Sequence, residues 1–308
     1  MQSPSSSVRR AQPLLGTFVE VSARGAPSRL SDAIDRAFGV IARIHALMSF
    51  HEPGSDVARL NRCAHKEPVG VDPHTWFVLA AAERMARASD GAFDITVAPA
   101  LVRFGFLPAT EAPPPAGRAR GFEAIELLPR GRVRFTRPTW IDLGGIAKGY
   151  AVDVACDALE QAGVTDYLVN AGGDLRVGAA AEPVHLRHPA RPEFALPLGL
   201  FADAALATSA AYFAGRPGAA GDVHPIIAPG SGEPACYHGS ITVSAHACIE
   251  ADALTKVLAV KGAAAAPVLQ DFDAEAWLLS TSGSWQRLGR AMPAGASRER
   301  GAGVAACR

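Results

Sequence analysis

From Ser31 to Met48, apolar side chains return every three or four residues, at Ile34, Phe38, Ile41, Ile44 and Met48. That spacing is one stripe of an amphipathic helix, with Ser31 as its expected cap. Residues 14–23 alternate and carry β-branched side chains, which predicts a strand interrupted at Gly16-Thr17. A second helix is predicted from Pro73 through Trp76, Leu79, Ala80 and Met85, stopping at Asp90-Gly91. Residues 125–135 read as a hairpin turning at Arg130-Gly131. Residues 140–153 read as a strand end, a glycine turn and a helix start, the helix running to about Ala162 and stopping at Gly163. A buried strand follows at 167–170, then the turn Ala171-Gly172-Gly173-Asp174, then strands at 175–177, 184–186 and 196–206, the last ended by Thr208-Ser209. Residues 241–243 form another strand, and 249–260 a helix with Leu254, Val257 and Leu258 inward. Residues 268–269 and 277–279 are expected as a closing pair of strands. There is no internal repeat and no regular βαβ alternation, so the pattern predicts an α+β fold.

Composition sharpens this only in places. Of 308 residues, 49% are hydrophobic, enough for a sizeable core. Thirty basic side chains balance thirty acidic ones, which argues against a nucleic-acid surface. The five cysteines, at 63, 156, 236, 248 and 307, make no C-x-x-C and are expected as reduced thiols. Residues 1–12 read as a flexible arm, 13–290 as one mixed domain, and 291–308, rich in Gly, Ala and Arg, as a disordered tail. Residues 107–121 and 215–232 are expected loops. No window has the length of a membrane span and no signal core is evident, so the chain is expected to be cytoplasmic, or periplasmic if its native N-terminus was trimmed.

Candidate chemistry gathers at strand ends beside glycine turns. Gly144 and Gly145 allow close backbone approach, and the helix that follows offers amides suited to phosphate. Asp142 and Lys148 flank that turn with opposite charge. The stretch is neither a Walker A loop nor a G-x-G-x-x-G fingerprint. Thr17, Asp94, Thr96, Asn170, Asp174, Thr208 and Ser209 occupy similar positions, where the plain alternative is a turn or cap role. No G-x-S-x-G elbow or H-E-x-x-H occurs. Asp252 and Thr255, three residues apart on one helix, are oxygen donors suited to a hard metal; the alternative is that Asp252 only complements the helix N-terminus.

Taken in order, these stretches resemble the ApbE-type FAD:protein FMN transferases. The resemblance runs from about Leu15 to Leu258 and rests on LGT at 15–17, SFHEPGSDVARLN at 49–61, DGAFDITVAPALVRFGF at 90–106, IDLGGIAKGYAVD at 141–153, YLVNAGGDLR at 167–176, ATS at 207–209 and EADALT at 250–255. It implies a T-fold-like architecture of antiparallel-rich sheet with flanking helices. It also implies a magnesium-dependent reaction in which FAD is split, FMN passes to a Ser or Thr hydroxyl of an acceptor protein, and AMP leaves. By resemblance, Leu15, Gly16, Thr17, His51, Phe104, Gly105, Phe106, Asp142, Lys148 and Ile227 line the FAD site. The Gly145 carbonyl, Asp252 and Thr255 hold Mg2+, Thr208 and Ser209 lie near the reacting phosphates, and Asp252 and His224 serve catalysis. Three positions depart from the family pattern. T-S-G-D-Y is Thr208-Ser209-Ala210-Ala211-Tyr212, and H-I-x-D-P is Pro225-Ile226-Ile227-Ala228-Pro229 with His224 one residue early. The metal-binding Thr four residues after the Asp is Lys256, with Thr255 one position short; either Thr255 substitutes after a small helix shift, or Lys256 puts an ammonium in place of a ligand and weakens magnesium binding by charge repulsion. Two other expectations stand beside the transferase: an FAD-binding protein that has lost transfer, and a magnesium-dependent FAD pyrophosphatase.

Overall fold

The computed structural model describes residues 6–109, 113–116, 120–210, 215–218 and 221–289. Strands β1 (Ser6–Leu14) and β2 (Thr17–Gly25) lead into helix α1 (Pro27–Met48). Helix α2 (Asp56–Cys63), strand β3 (Val69–Gly70), helix α3 (Pro73–Ala88), a short 3-10 turn (Ile95–Val97) and helix α4 (Ala98–Arg103) follow. Strands β4 (Ile125–Leu128) and β5 (Arg132–Phe135) precede helix α5 (Ala147–Gln161). Then come β6 (Asp166–Ala171), β7 (Asp174–Val177), β8 (Glu182–His188), β9 (Arg191–Phe201) and β10 (Ala204–Ala210). Short strands β11 (Arg216–Gly218), β12 (Gly221–Val223), β13 (Ile227–Ala228) and β14 (Glu233–Pro234) lead to β15 (Ser240–Ala245). Helices α6 (Cys248–Lys261) and α7 (Ala266–Asp271) and strands β16 (Glu275–Leu279) and β17 (Trp285–Gly289) complete the described chain.

Eight strands make one sheet in the order β1-β2-β6-β7-β10-β15-β16-β17, with every neighbouring pair antiparallel. The α+β expectation therefore holds. Side chains alternate between the two faces of a strand. Val19, Val21, Val169, Ala171, Ala205, Ala207, Ile241 and Val243 point into the core. They meet Ile34, Phe38, Ile41 and Ile44 of α1, Val152, Ala155 and Leu159 of α5, and Leu254, Val257 and Leu258 of α6. The intervening Glu20, Asn170, Leu206, Thr208 and Thr242 face a cavity instead. The sheet thus carries helices on one side and an open site on the other.

Two tight turns fix the edge of that site. Leu15-Gly16 joins β1 to β2 with φ of 57° and 71°, and Gly172-Gly173 joins β6 to β7 with φ of 65° and 102°. Two positive-φ residues in a two-residue loop give the twist that a hairpin needs. A Cβ on Gly172 would lie 2.6 Å from Thr17 Oγ1, so the glycine lets the two turns pack together.

Several elements differ from the sequence expectation. Residues 6–12 are not an arm but most of β1, paired residue by residue with β2. Helix α1 begins at Pro27 behind Ala26, not at Ser31, because proline at the first position pre-sets the helical φ. The expected 196–206 strand is two strands, β9 and β10, separated at Asp203 with φ of 46°. Thr208 and Ser209 lie inside β10 and do not end it. Residues 268–269 are helical, in α7; a two-residue apolar run carries no period, and Pro267 starts a helix there. Residues 277–279 lie in β16, which pairs with β15 on one side and with β17 on the other. The expected tail from 291 lies outside the described residues. Cys63, Cys156, Cys236 and Cys248 are free thiols. Among the described residues no helix is long and apolar enough to cross a membrane.

Candidate active site

The cavity on the open face of the sheet measures about 1140 Å3. Its floor is the sheet. Its walls come from the β1–β2 and β6–β7 turns, residues 93–97, the 142–148 turn, and the β8–β9 hairpin through His185 and Arg187.

The 142–148 turn is built locally. Asp142 accepts from the Gly144 amide at 3.0 Å, and the Asp142 amide donates to the Ile95 carbonyl at 2.8 Å. Burial pushes the Asp142 carboxyl up, while the Gly144 amide and the charge of nearby His51 pull it down. Helix α5 starts directly after this turn, so its N-terminus opens beside the cavity.

Behind the wall lies a cluster of four charges. Lys148 ion-pairs with Asp174 and reaches Asp252 Oδ2 at 3.5 Å. Lys256 ion-pairs with Asp252 Oδ1, and the Gly149 amide donates to Oδ2 at 3.1 Å. Both carboxylates are buried, with 2% and 0% of their side chains exposed, and both lysines line the cavity. Burial alone would raise Asp252, but Lys148, Lys256 and the Gly149 amide hold it down at about 2. Asp174 is pushed up to about 6, first by burial and then by the charge of Asp252, against the pull of Lys148. Burial also works against the Lys148 charge, yet Asp174 and Asp252 hold its pKa above the ordinary value.

The two helices that carry these groups cap each other. Asp153 of α5 accepts from the Cys248 and Ile249 amides at the head of α6, both at 2.9 Å. Asp252 of α6 accepts from Gly149 in the first turn of α5. Gly149 permits this approach: a Cβ there would lie 2.2 Å from the Cys248 carbonyl oxygen.

Of the residues expected at the site, Gly16, Thr17, Phe106, Asp142, Gly145, Lys148, Thr208, Ser209 and Ile227 line the cavity. Leu15, His51, Phe104, Gly105, His224, Asp252 and Thr255 do not line it. Leu15 belongs to the β1–β2 turn, and Phe104 lies under the Arg103 guanidinium, 4.6 Å from ring centroid to the charge. His51 is exposed and acts on Asp142 through its charge. Strand alternation separates the Thr208-Ser209 pair. Thr208 meets Thr242 on the cavity face at 2.9 Å, and Ser209 turns to Thr255 of α6 at 2.7 Å. His224 is tilted against Tyr237 at 5.7 Å between centroids; its Nδ1 is buried with no hydrogen-bond partner among the described residues. Burial raises Tyr237, itself on the wall, to about 12.

The expected magnesium donors do not fit the ion. Both oxygens of Asp252 are engaged, Oδ1 by an ammonium. The Thr255 hydroxyl is fully buried, donates to the Asp252 carbonyl at 2.7 Å and shares a hydrogen bond with Ser209. The Lys256 side chain lies over Gly145, its Cε 3.6 Å from where a Gly145 Cβ would be. Magnesium needs open oxygen ligands, and a resident cation repels it.

Among the lining residues not foreseen as site residues are Thr242, Tyr237 and those of the β8–β9 hairpin. The alternation of 240–245 carries a signal for Thr242, a polar residue on the face opposite Ile241 and Val243. Asp153 gave no signal of its capping role, since its partners are 95 and 96 residues away in sequence.

A model of the ApbE family matches residues 15–278. A Vibrio cholerae protein named FAD:protein FMN transferase is 29% identical over 189 residues, covering 57% of this chain and 56% of that relative. A Haemophilus influenzae protein of the same name is 29% identical over 150 residues, covering 44% and 43%. The matches thus span about half the length of these curated relatives. The crystal structure of the ApbE protein from Thermotoga maritima superposes with a TM-score of 0.79 at 26% identity, covering 92% of this chain and 97% of that one. The flavin transferase ApbE from Vibrio cholerae gives 0.76 at 25% identity, with the same coverage.

Proposed function

This chain belongs to the ApbE family, and from that premise we propose that it is an FAD:protein FMN transferase. The reading is carried by one observation above the rest. A cavity wide enough for a dinucleotide has two lysines and the N-terminus of α5 on one wall, which suits the pyrophosphate of FAD. Names of the relatives support the same donor and the same transferred group.

In this reading Lys148 and Lys256 hold the phosphates, with Asp252 and Asp174 fixing the two ammonium groups from behind. Asp142 and the 144–145 turn orient the ligand by hydrogen bonds. Phe106, Ile227 and the turn Gly16-Thr17 supply apolar wall. The hydroxyl oxygen of a Ser or Thr on the acceptor protein attacks the phosphorus of the FMN half. The new P–O bond forms as the bond to the AMP oxygen breaks, AMP carries away the electron pair, and the hydroxyl proton passes to His224. His224 does not itself line the cavity; its place next to wall residues Pro225 and Ile226 is what supports its assignment as base. Phosphoryl transfer is mostly positioning and charge neutralisation, and lysines serve both. Magnesium was expected from the family resemblance, but its donors are engaged as described, so no step passes through it.

Incubation of the protein with FAD and a Ser/Thr acceptor peptide, read by mass spectrometry, tests the reading. The expected result is AMP together with a peptide heavier by one FMN. AMP with an unmodified peptide would make the protein an FAD pyrophosphatase. FAD binding with no AMP would make it a flavin binder.

A further inference from the structure

We propose that Lys256 is a built-in cation for the pyrophosphate of FAD, standing where a divalent ion would otherwise be held, so that this protein binds the dinucleotide without metal. The inference rests on the FAD reading above and assigns the charge that meets the diphosphate.

The geometry carries it. Asp252 is a fully buried carboxylate of the site, and the Gly149 amide takes its Oδ2, which leaves Oδ1 for any divalent ion held there. That oxygen is ion-paired to Lys256 Nζ. The same side chain passes over Gly145, with Cε 3.6 Å and Cγ 3.7 Å from where a Cβ would stand, so it fills the space between the Gly145 turn and Asp252. Lys256 is one turn from Asp252 on α6, and an i,i+4 carboxylate–ammonium pair is well placed on a helix. An ammonium has three donors, and the Asp252 bond uses one, leaving donors for phosphate oxygens.

Charge placement favours an anion rather than a second cation. The two lysines and two aspartates of the cluster cancel formally. The carboxylates are sealed beneath the wall, while the lysine side chains are 28% and 17% exposed and reach the cavity. An incoming diphosphate meets ammonium groups first. An incoming divalent ion meets two like charges and no free carboxylate oxygen on Asp252.

Two measurements on the full chain decide this. The first titrates Mn2+ into the protein and reads free ion by electron paramagnetic resonance. The second measures FAD binding by quenching of flavin fluorescence, in EDTA and in millimolar MgCl2. Mn2+ is expected to stay free, and the FAD affinity to agree between the two buffers within about twofold. Lys256→Met is expected to weaken FAD about tenfold in EDTA, the loss of one charge-assisted contact. Lys256→Thr is expected to gain Mn2+ binding, because the seat is vacated beside Asp252. Stoichiometric Mn2+ binding by the unaltered protein, or FAD binding abolished by EDTA, overturns the inference and leaves the transferase reading standing. No FAD binding in either buffer overturns the transferase reading itself. Should either variant fail to fold, as read by its circular dichroism melt, the two titrations of the unaltered protein decide alone.

Discussion

At the scale of single residues, the site is organised by what a side chain excludes as much as by what it contacts. Gly149 is the clearest case: a methyl there would collide with the Cys248 carbonyl and lie 2.9 Å from Asp252 Cβ. Gly149→Ala must therefore push α5 and α6 apart and break the Gly149–Asp252 hydrogen bond. We expect a loss of about 1–3 kcal/mol in urea unfolding, the range for overpacking a tight contact, together with weaker FAD binding. A variant as stable as the parent would show that the two helices have slack. Asp174 gives a second prediction, with its sign set by linkage. Its carboxyl, at about 6, lies above the ordinary aspartate value of 3.8, so the folded protein holds this proton more tightly than the unfolded chain. The contribution of this group to stability is largest below the unfolded value and is lost as pH rises toward about 6. Asp174→Asn removes that loss. Between pH 4.5 and 7.5, the urea midpoint of the variant should gain on that of the parent, and an unchanged difference would refute the assignment. The sequence made Asp142, Lys148 and Asp252 visible, because charges beside glycine turns or within an apolar helix need partners. It did not reveal that Thr255 turns away or that Lys256 turns in. Those outcomes depend on side-chain direction at one step of a helix.

At the scale of elements, α5 and α6 form a unit because each caps the other. Helix α6 has Ala247 at its N-cap, which offers no side-chain acceptor. Its first amides would stay unsatisfied in a buried setting without Asp153. Asp153→Asn keeps the shape but leaves one acceptor oxygen for two amides, and its own NH2 then faces a donor. The expected cost is about 1–3 kcal/mol, the penalty of one buried unsatisfied amide. Because α6 also carries Asp252 and Lys256, FAD affinity should fall with it. Urea unfolding and flavin-fluorescence titration of the same sample check both halves, and loss of stability with unchanged affinity would show that α6 is held elsewhere. Long, periodic elements were legible in the sequence: α1, α3, α5, α6 and the 125–135 hairpin all occur near their expected limits. Short ones were not. Residues 6–12 look like a polar arm because an edge strand half exposed to solvent carries little apolar signal, and its partner β2 supplies the order. Residues 268–269 have too few positions to show any period, so tertiary packing chose the helix.

At the scale of the whole molecule, the sheet divides the protein into a sealed half and an open one. Core aliphatics alternate with site polar residues along the same strands, so β10 and β15 each serve both halves at once. That arrangement ties ligand binding to the middle of the sheet rather than to a peripheral loop. It also leaves the β3-β5-β4 sheet out of the site, since no residue of 125–135 lines the cavity. Hydrogen exchange with and without FAD should separate the two regions. Amides in 142–149, in the 170–173 turn and in 184–187 of the β8–β9 hairpin are expected to slow when FAD binds, because these segments wall the cavity. Amides of the 125–135 hairpin should exchange at the same rate in both states. FAD at about a hundred times its dissociation constant should also add about 2.7 kcal/mol to the stability of the folded state, visible as a rise in the melting midpoint. Protection of the 125–135 hairpin without protection of 142–149 would put the ligand on the wrong side of the molecule and remove the basis for the site. Protection of 184–187 bears on a different point: among the described residues the β8–β9 hairpin pairs with no strand of the main sheet, so only contact with bound ligand is expected to slow it to the rate of the turns across the cavity.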